Sequence, residues 1–347
     1  MKIFKKITLI VLVFLSGSCE KKSPDPDVNS IASHLMGDGV FIINEGNFLA
    51  GNGTLSFYSY NSKEIYNDIF ALANGRPLGD VPYSMIVSGT TGYIVVNNSG
   101  KVEVVDKNTM QSLKTIEGLN SPRKILLLNS SKAYVSSLYS NSLAILDLKS
   151  NSVSGSLNIR RSSESMVLLG NKVFISSWYN GQDIMVVDPT TDKVIDSIAV
   201  GSEPETMVLD KNNKLWVLCS ADYSGNYFAE LVVINTSSDK MEKQFPFSSL
   251  SLHPSCLQIN GTKDTIYYVN NDLWRMNILS SALPDKPFRF ANGRQIYKLG
   301  VDQRNGRIFY TDAVDYQQKG YVLQTNPNGV PVDSCQTDII PGSFCFK

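Results

Sequence analysis

The 347-residue sequence predicts an all-β fold built from repeated four-stranded units. Hydrophobic anchors recur at Met85, Ile125, Met166 and Met207, at intervals of 40, 41 and 41 residues. The intervals hold short β-branched and aromatic runs separated by turn-forming residues, and no long segment with helical periodicity. Such a repeat is typical of a β-propeller, because one small twisted sheet cannot bury both faces until neighbouring sheets pack around a ring.

The strands of each unit follow one another in a fixed order. The inner strand contains the anchor, in the segments 82–85, 122–125, 163–166, 204–207 and 254–257. The second strand begins about eight residues after the anchor, at 93–96, 133–135, 173–175, 215–217 and 267–269. The third strand ends on an acid or amide that favours a turn, at Asp106, Asp147, Asp188 and Asn235. A fourth strand is predicted after each third strand.

The frame continues to Leu299 and Phe344, which predicts a sixth and a seventh blade. Only one residue follows 341–346, so the C-terminus can supply no more than an inner strand. Its partners must then be the apolar runs 40–43 and 55–58 near the N-terminus. We therefore predict a seven-bladed β-propeller over residues 34–347, closed by mixing N- and C-terminal strands in one blade, which removes an exposed sheet edge.

The N-terminal segment has the composition of an export signal. Three lysines among the first six residues precede an apolar core, 7–15, that is too short to span a bilayer, and Ser-Gly-Ser then leads to Cys19. This resembles a bacterial lipoprotein signal peptide over residues 1–18, with Cys19 as the lipidated residue; an ordinary secretory signal is the alternative. Residues 19–33 lack a periodic apolar pattern, so we predict a flexible tether there.

Charge and cysteine content narrow the class of protein further. The chain has 32 basic and 32 acidic residues and a pI near 6.7, so no global field favours nucleic acid or an anionic membrane surface. We expect membrane contact only through the lipid anchor. Export permits disulfides among Cys219, Cys256, Cys335 and Cys345, with Cys335 and Cys345 as the candidate pair, although an even number alone establishes none.

One face of the predicted propeller carries the candidate binding residues. The chain alternates direction within a blade, so the loops between second and third strands share a face, called the loop face below, with the links between blades. These loops are rich in aromatic and amide side chains, which combine a large apolar area with a polar group. The alternative is that single rings fold back onto their own blades. Candidate ring contacts are Tyr139, Trp178, Tyr179, Tyr223 and Tyr227, and candidate polar contacts are Arg123, Asn180 and Asn226.

The inner strands add a second set of candidates around the central channel. Equivalent positions of four successive blades, two residues before each anchor, hold Tyr83, Arg123, Glu164 and Glu205. The two glutamates form a candidate carboxylate pair for a metal or for acid–base chemistry. The other interpretation is a ring of charges around a solvated mouth. It is favoured because no third ligand is placed beside them, and His34 and His253 lie in unrelated segments.

Two features of the sequence resemble known families. The Pro-x-x-hydrophobe openings and Val-Val-Asp third strands look like YncE-type seven-bladed propellers. The segments 41–48 and 52–58 look like the first blade of surface propeller lipoproteins of Gram-negative gut bacteria, including BtuG-type cobalamin-binding proteins. The second resemblance implies a corrinoid (vitamin B12) binder that passes its ligand to a TonB-dependent, BtuB-like transporter, anchored in the outer membrane and facing the exterior.

Three functions compete for this face. The first is a non-enzymatic capture protein that needs no cofactor and carries cobalamin as its transported ligand. The second is a scaffold that binds a protein or glycan on the same face. The third is a metal-dependent, lactonase-like hydrolase, which would place a metal ion in the channel near Glu164 or Glu205.

Overall fold

The computed structural model describes residues 28–222 and 224–347 and shows seven small antiparallel sheets. Each sheet is one blade of a closed ring, and the described residues contain only two short helices. The predicted class, an all-β seven-bladed β-propeller, is confirmed.

The blades are numbered from the N-terminus. Blade 1 contains β1 (Gly39–Asn44), β2 (Thr54–Ser59), β3 (Ile65–Tyr66) and β27 (Pro341–Phe346). Blade 2 contains β4 (Pro82–Ser88), β5 (Thr91–Val96), β6 (Lys101–Asp106) and β7 (Ser112–Ile116). Blade 3 contains β8 (Pro122–Leu127), β9 (Lys132–Ser137), β10 (Ser142–Asp147) and β11 (Ser152–Asn158). Blade 4 contains β12 (Met166–Leu169), β13 (Lys172–Ile175), β14 (Asp183–Asp188) and β15 (Lys193–Ala199).

The last three blades continue the same order. Blade 5 contains β16 (Pro204–Leu209), β17 (Lys214–Cys219), β18 (Glu230–Asn235) and β19 (Lys240–Pro246). Blade 6 contains β20 (Ser255–Ile259), β21 (Thr265–Asn270) and β22 (Asp272–Asn277). Blade 7 contains β23 (Ile296–Val301), β24 (Ile308–Asp312), β25 (Lys319–Thr325) and β26 (Pro331–Ile339).

Blade 6 departs from the predicted four strands. Its sheet ends at β22, and beyond that strand only a single bridge joins Leu273 to Arg289. The segment that would form the outer strand carries Pro284 and Pro287, which cannot donate backbone hydrogen bonds to a ladder. The prediction of four strands in every unit is therefore wrong for this blade.

The ring closes as predicted, by pairing the two ends of the chain. β27 lies antiparallel to β1, with Val40 opposite Phe346 and Ile42 opposite Phe344. The rings of Phe344 and Phe346 lie 6.0 and 5.7 Å from the buried ring of Phe309 in blade 7. Closure therefore joins the last complete blade to the mixed one through aromatic packing.

The hydrophobic core lies between neighbouring blades. One cluster, for example, joins Tyr93 and Val104 of blade 2 to Ile125 and Val135 of blade 3. Middle strands such as β17 are almost wholly buried, whereas outer strands such as β15 expose most of their residues. Register shifts between third and outer strands bend these edges, which disfavours pairing with another chain.

Two short helices cover one side of blade 1. Helix α1 spans Val28–Leu35, so residues 28–33 of the predicted tether are helical instead, and Leu35 is buried in the adjoining core. Helix α2 spans Ile69–Asn74 and ends at Gly75, whose φ of 65° suits glycine. In the described part of the chain no helix is long and apolar enough to cross a membrane.

The predicted cysteine pair can be compared with the structure, whereas most of the predicted N-terminal features cannot. The signal peptide 1–18, the lipidated Cys19 and the tether up to residue 27 lie outside the described residues. Cys219, Cys256, Cys335 and Cys345 are all free thiols. The candidate pair is not bonded: Cys335 lies on outer strand β26 of blade 7, whereas Cys345 lies on inner strand β27 of blade 1.

Candidate functional site

Backbone irregularities at the start of the inner strands turn side chains into the central channel. The pairing of inner and second strands shifts register between Pro82 and Ser84, and the same shift recurs in blades 3, 5, 6 and 7. A β-bulge of this kind redirects the residue it contains. In several blades the inner strand begins with a proline, and the residue before that proline has a left-handed backbone conformation, with φ of 54° at Val81 and 55° at Glu203. This conformation is energetically costly for residues other than glycine, and it sets the direction in which the chain enters the inner strand.

Residues at these shifts, together with Glu45 and Glu164, form the floor of a cavity of about 880 Å³ that opens on the loop face. Its wall combines loops between second and third strands with links between blades, as the alternation of chain direction predicts. Ligand pockets typically measure about 300–1,000 Å³, so this cavity is at the large end of that range. A second cavity of about 240 Å³ lies beyond it, and Tyr83, Glu205 and Lys298 line both. These three residues mark the boundary between the cavities, called the waist below.

One side of the floor is a closed network of Tyr83, Arg123 and Glu164. The Arg123 Nε donates to Glu164 Oε2 at 2.7 Å, and the Tyr83 hydroxyl donates to Oε1 at 2.8 Å. The Arg123 guanidinium also lies 3.5 Å from the centre of the Tyr83 ring. Burial raises the pKa of Glu164, but the charges of Arg123 and Lys124 outweigh it and hold that pKa below its ordinary value. Glu164 is therefore an ionised, fully engaged carboxylate.

The other side is built from Glu45 and Tyr297. The Tyr297 hydroxyl donates to the Glu45 carboxylate, 3.0 and 3.2 Å from its two oxygens. Glu45 comes from the loop after β1, and its carboxylate lies against Gly342. Only glycine leaves room for it there, because a Cβ on Gly342 would lie 2.2 Å from Glu45 Oε1. Burial raises the pKa of Glu45, although the Lys298 charge opposes this.

The waist brings Lys298 and Glu205 to the same narrow part of the channel. The Lys298 ammonium lies 4.6 Å from the centre of the Tyr297 ring. Glu205 Oε2 accepts from the Cys256 backbone N–H at 3.2 Å and from the Ser220 hydroxyl at 3.4 Å. The floor thus presents both a cation and carboxylates to whatever enters from the loop face.

Three of the predicted contacts lie on the cavity. Arg123 is in its floor, Tyr139 and Trp178 are in its wall, and Tyr139 remains 69% exposed. Other wall residues, which were not among the predicted contacts, are Asn271 from a loop of blade 6 and Gln295 from the link that follows that blade. Rings and amides therefore do meet in one concavity.

The other predicted contacts lie elsewhere or are not described. Tyr179, Asn180, Asn226 and Tyr227 are exposed on neighbouring loops and do not line this cavity. The Asn226 side chain instead donates to the Ser224 hydroxyl at 2.8 Å. Tyr223 lies outside the described residues.

The acidic residues of the channel do not assemble into a metal centre. Across residues 28–222 and 224–347, no three His, Cys, Asp or Glu side chains are grouped so that they could hold a metal ion. Glu164 is committed to Arg123 and Tyr83, and Glu205 to Ser220 and Cys256. The candidate carboxylate pair is thus two separate carboxylates with different partners.

Glu45, Tyr297 and Lys298 lie in the site but were not among the predicted residues. Tyr297 stands two residues before anchor Leu299, the position that Tyr83 and Arg123 occupy in their blades, so continuing the frame identifies it. Glu45 comes from a loop outside the repeat, and only closure of the ring places it beside Gly342.

The fold and this site define a seven-bladed β-propeller with a large polar cavity on its loop face. The family model described as "Domain of unknown function (DUF5074)" matches residues 38–341, and the chain belongs to that family. The seven-bladed beta-propeller protein Rv1057 of Mycobacterium tuberculosis is 29% identical over 141 residues, 38% of this chain and 35% of that protein. The match thus spans about a third of that relative's length.

Two solved structures share the fold at low sequence identity. A quinonprotein alcohol dehydrogenase-like protein from Bacteroides thetaiotaomicron has a TM-score of 0.72 and 17% identity, covering 89% of this chain and 78% of that chain. The periplasmic gluconolactonase PpgL of Pseudomonas aeruginosa has a TM-score of 0.68 and 10% identity, covering 89% and 99%. At such identities the likeness shows the fold alone.

Proposed function

We propose that this protein is a non-enzymatic capture protein for a large, amide-bearing small molecule, and that this ligand is a corrinoid such as cobalamin. The observation that carries the proposal is the cavity of about 880 Å³ on the loop face, with Trp178 and Tyr139 in its wall. Asn271 and Gln295 contribute amide groups to the wall of the same cavity. A corrinoid has broad apolar faces and a fringe of amides, which matches rings and amides placed together.

The surroundings of the cavity suit transfer of the ligand to a partner. Exposed apolar side chains, among them Phe48, Leu49, Tyr179 and Phe228, lie on loops of the same face. Such side chains are common at protein contact sites. We place the protein on the outer membrane, facing the exterior and held through Cys19, where it passes cobalamin to a TonB-dependent transporter. The resemblance of blade 1 to BtuG-type proteins supports this assignment.

The proposal is tested by comparing two adjacent aromatic residues. Trp178 lines the cavity, whereas Tyr179 is 55% exposed and does not. Because a few buried rings usually dominate binding energy, Trp178→Ala is expected to weaken cyanocobalamin binding by about 2 kcal/mol, roughly thirtyfold. Tyr179→Ala is the matched control and should change affinity less than about threefold. Calorimetric titration of both variants measures this, and equal effects would move the site away from the cavity.

A further inference from the structure

The waist holds a lysine with no direct carboxylate partner. Among the described residues no carboxylate oxygen lies within 4.0 Å of the Lys298 ammonium, whereas the Arg123 guanidinium of the same floor is paired with Glu164 at 2.7 Å. Charges in its surroundings nevertheless affect the pKa of Lys298. Burial lowers the pKa of Lys298, but the negative charge that neighbouring acidic groups can carry, Glu205 among them, raises it, and the net pKa is well above the ordinary value. The side chain is therefore a cation that faces open space in the channel.

Carboxylates stand near this cation without neutralising it by contact. Glu205 uses Oε2 for two hydrogen bonds, from the Ser220 hydroxyl and the Cys256 backbone N–H. Both Glu205 and Lys298 line the two cavities that meet at the waist. Glu45 also lines the larger cavity and is electrostatically coupled to Lys298. A group that enters the waist thus meets a strong donor and strong acceptors together.

A primary carboxamide fits this combination better than a charged group does. Its carbonyl oxygen can accept from the Lys298 ammonium while its NH₂ donates to the Glu205 carboxylate. A ligand carboxylate would bring a second negative charge beside Glu205, and a ligand ammonium would face Lys298 at short range. Like-charge contacts of this kind cost several kcal/mol when they are desolvated.

We propose that Lys298 and Glu205 form a carboxamide-reading subsite at the waist, which admits one amide side chain of the ligand and rejects the corresponding carboxylate. The subsite rests on the proposed function, since it names the part of the captured ligand that reaches deepest into the channel. It makes Lys298 and Glu205 specificity-determining residues, while the rings of the wall supply affinity.

The test compares cyanocobalamin with its three monocarboxylic acids, each carrying a different hydrolysed propionamide, by calorimetric titration of the intact protein at neutral pH. One of the three acids is expected to bind at least about tenfold more weakly than cyanocobalamin, and the other two within about threefold. Glu205→Gln removes the repulsion and should restore that acid to within about threefold of cyanocobalamin. Lys298→Met should weaken cyanocobalamin about tenfold and weaken that acid further.

A carboxylate two residues away provides the matched control. Glu203 precedes Pro204 in the link to the same inner strand but does not line the cavity, so Glu203→Gln should leave the discrimination between amide and acid unchanged. Equal binding of all four corrinoids to the intact protein would overturn the subsite and leave the capture function standing. The subsite is also overturned if Glu205→Gln and Glu203→Gln have the same effect. Absence of binding by every corrinoid would overturn the capture function, and the subsite with it.

Discussion

Deleting residues 341–347 tests the closure of the ring. The deletion removes β27, the inner strand of blade 1, and with it five paired positions along β1. It also removes Cys345, which is buried, and the Phe344 and Phe346 rings that pack on Phe309. Net hydrogen bonds of about 0.5–1.5 kcal/mol each and the lost apolar burial together amount to about 5–10 kcal/mol.

A loss of that size is comparable with the entire stability of a typical protein, about 5–15 kcal/mol. The truncated chain is therefore expected to lose cooperative thermal unfolding, followed by near-ultraviolet circular dichroism and tryptophan fluorescence. Replacing Phe48, which is 69% exposed, by alanine is the control, and this variant should melt close to the intact protein. A truncated chain that melts like the intact one would refute the closure by β27.

Two further predictions concern stability and location. Glu103 is fully buried and forms salt bridges with Arg76 and Lys101. Burial raises the pKa of Glu103, but the two cations lower it by a larger amount, so the net pKa lies below the ordinary value of 4.5. Its contribution to stability is therefore present above that value and is lost as the pH falls below it. Glu103→Gln should lower the free energy of unfolding by about 2 kcal/mol at neutral pH, since Arg76 is partly exposed, and should flatten the acid decline seen by urea titration. An unchanged pH dependence would show that Glu103 is not its source. Cys19→Ala should release the protein from the membrane fraction in soluble form, measured by fractionation and immunoblotting, and continued retention would mean that another segment or a partner holds it.

The sequence predicts the ring because each blade repeats the same local pattern. Anchors such as Met85 and Met207 fall on inner strands, and the partial frame around Phe344 predicts the mixed blade correctly. The missing outer strand of blade 6 also has a signal in the sequence, since Pro284 and Pro287 interrupt the segment. The prediction of a fourth strand there is wrong because it relied on the repeat period, which takes no account of these prolines.

The site was less predictable because it depends on how separate blades meet. Tyr83, Arg123 and Glu164 follow from their equivalent positions, but their mutual hydrogen bonds depend on how three successive blades are arranged around the channel. Whether Trp178 or its neighbour Tyr179 points into the cavity depends on loop conformation, which no periodic pattern encodes.

Capture of a corrinoid in the cavity on the loop face can be measured by equilibrium titration of the purified protein with cyanocobalamin. The cavity has the volume of a single ligand pocket, so we expect saturable binding of one corrinoid per chain. The bound state should also unfold at a higher temperature than the free protein, because a ligand that binds only the folded state stabilises it. Folded protein that shows neither saturable binding nor a shift in its melting temperature would contradict the claim.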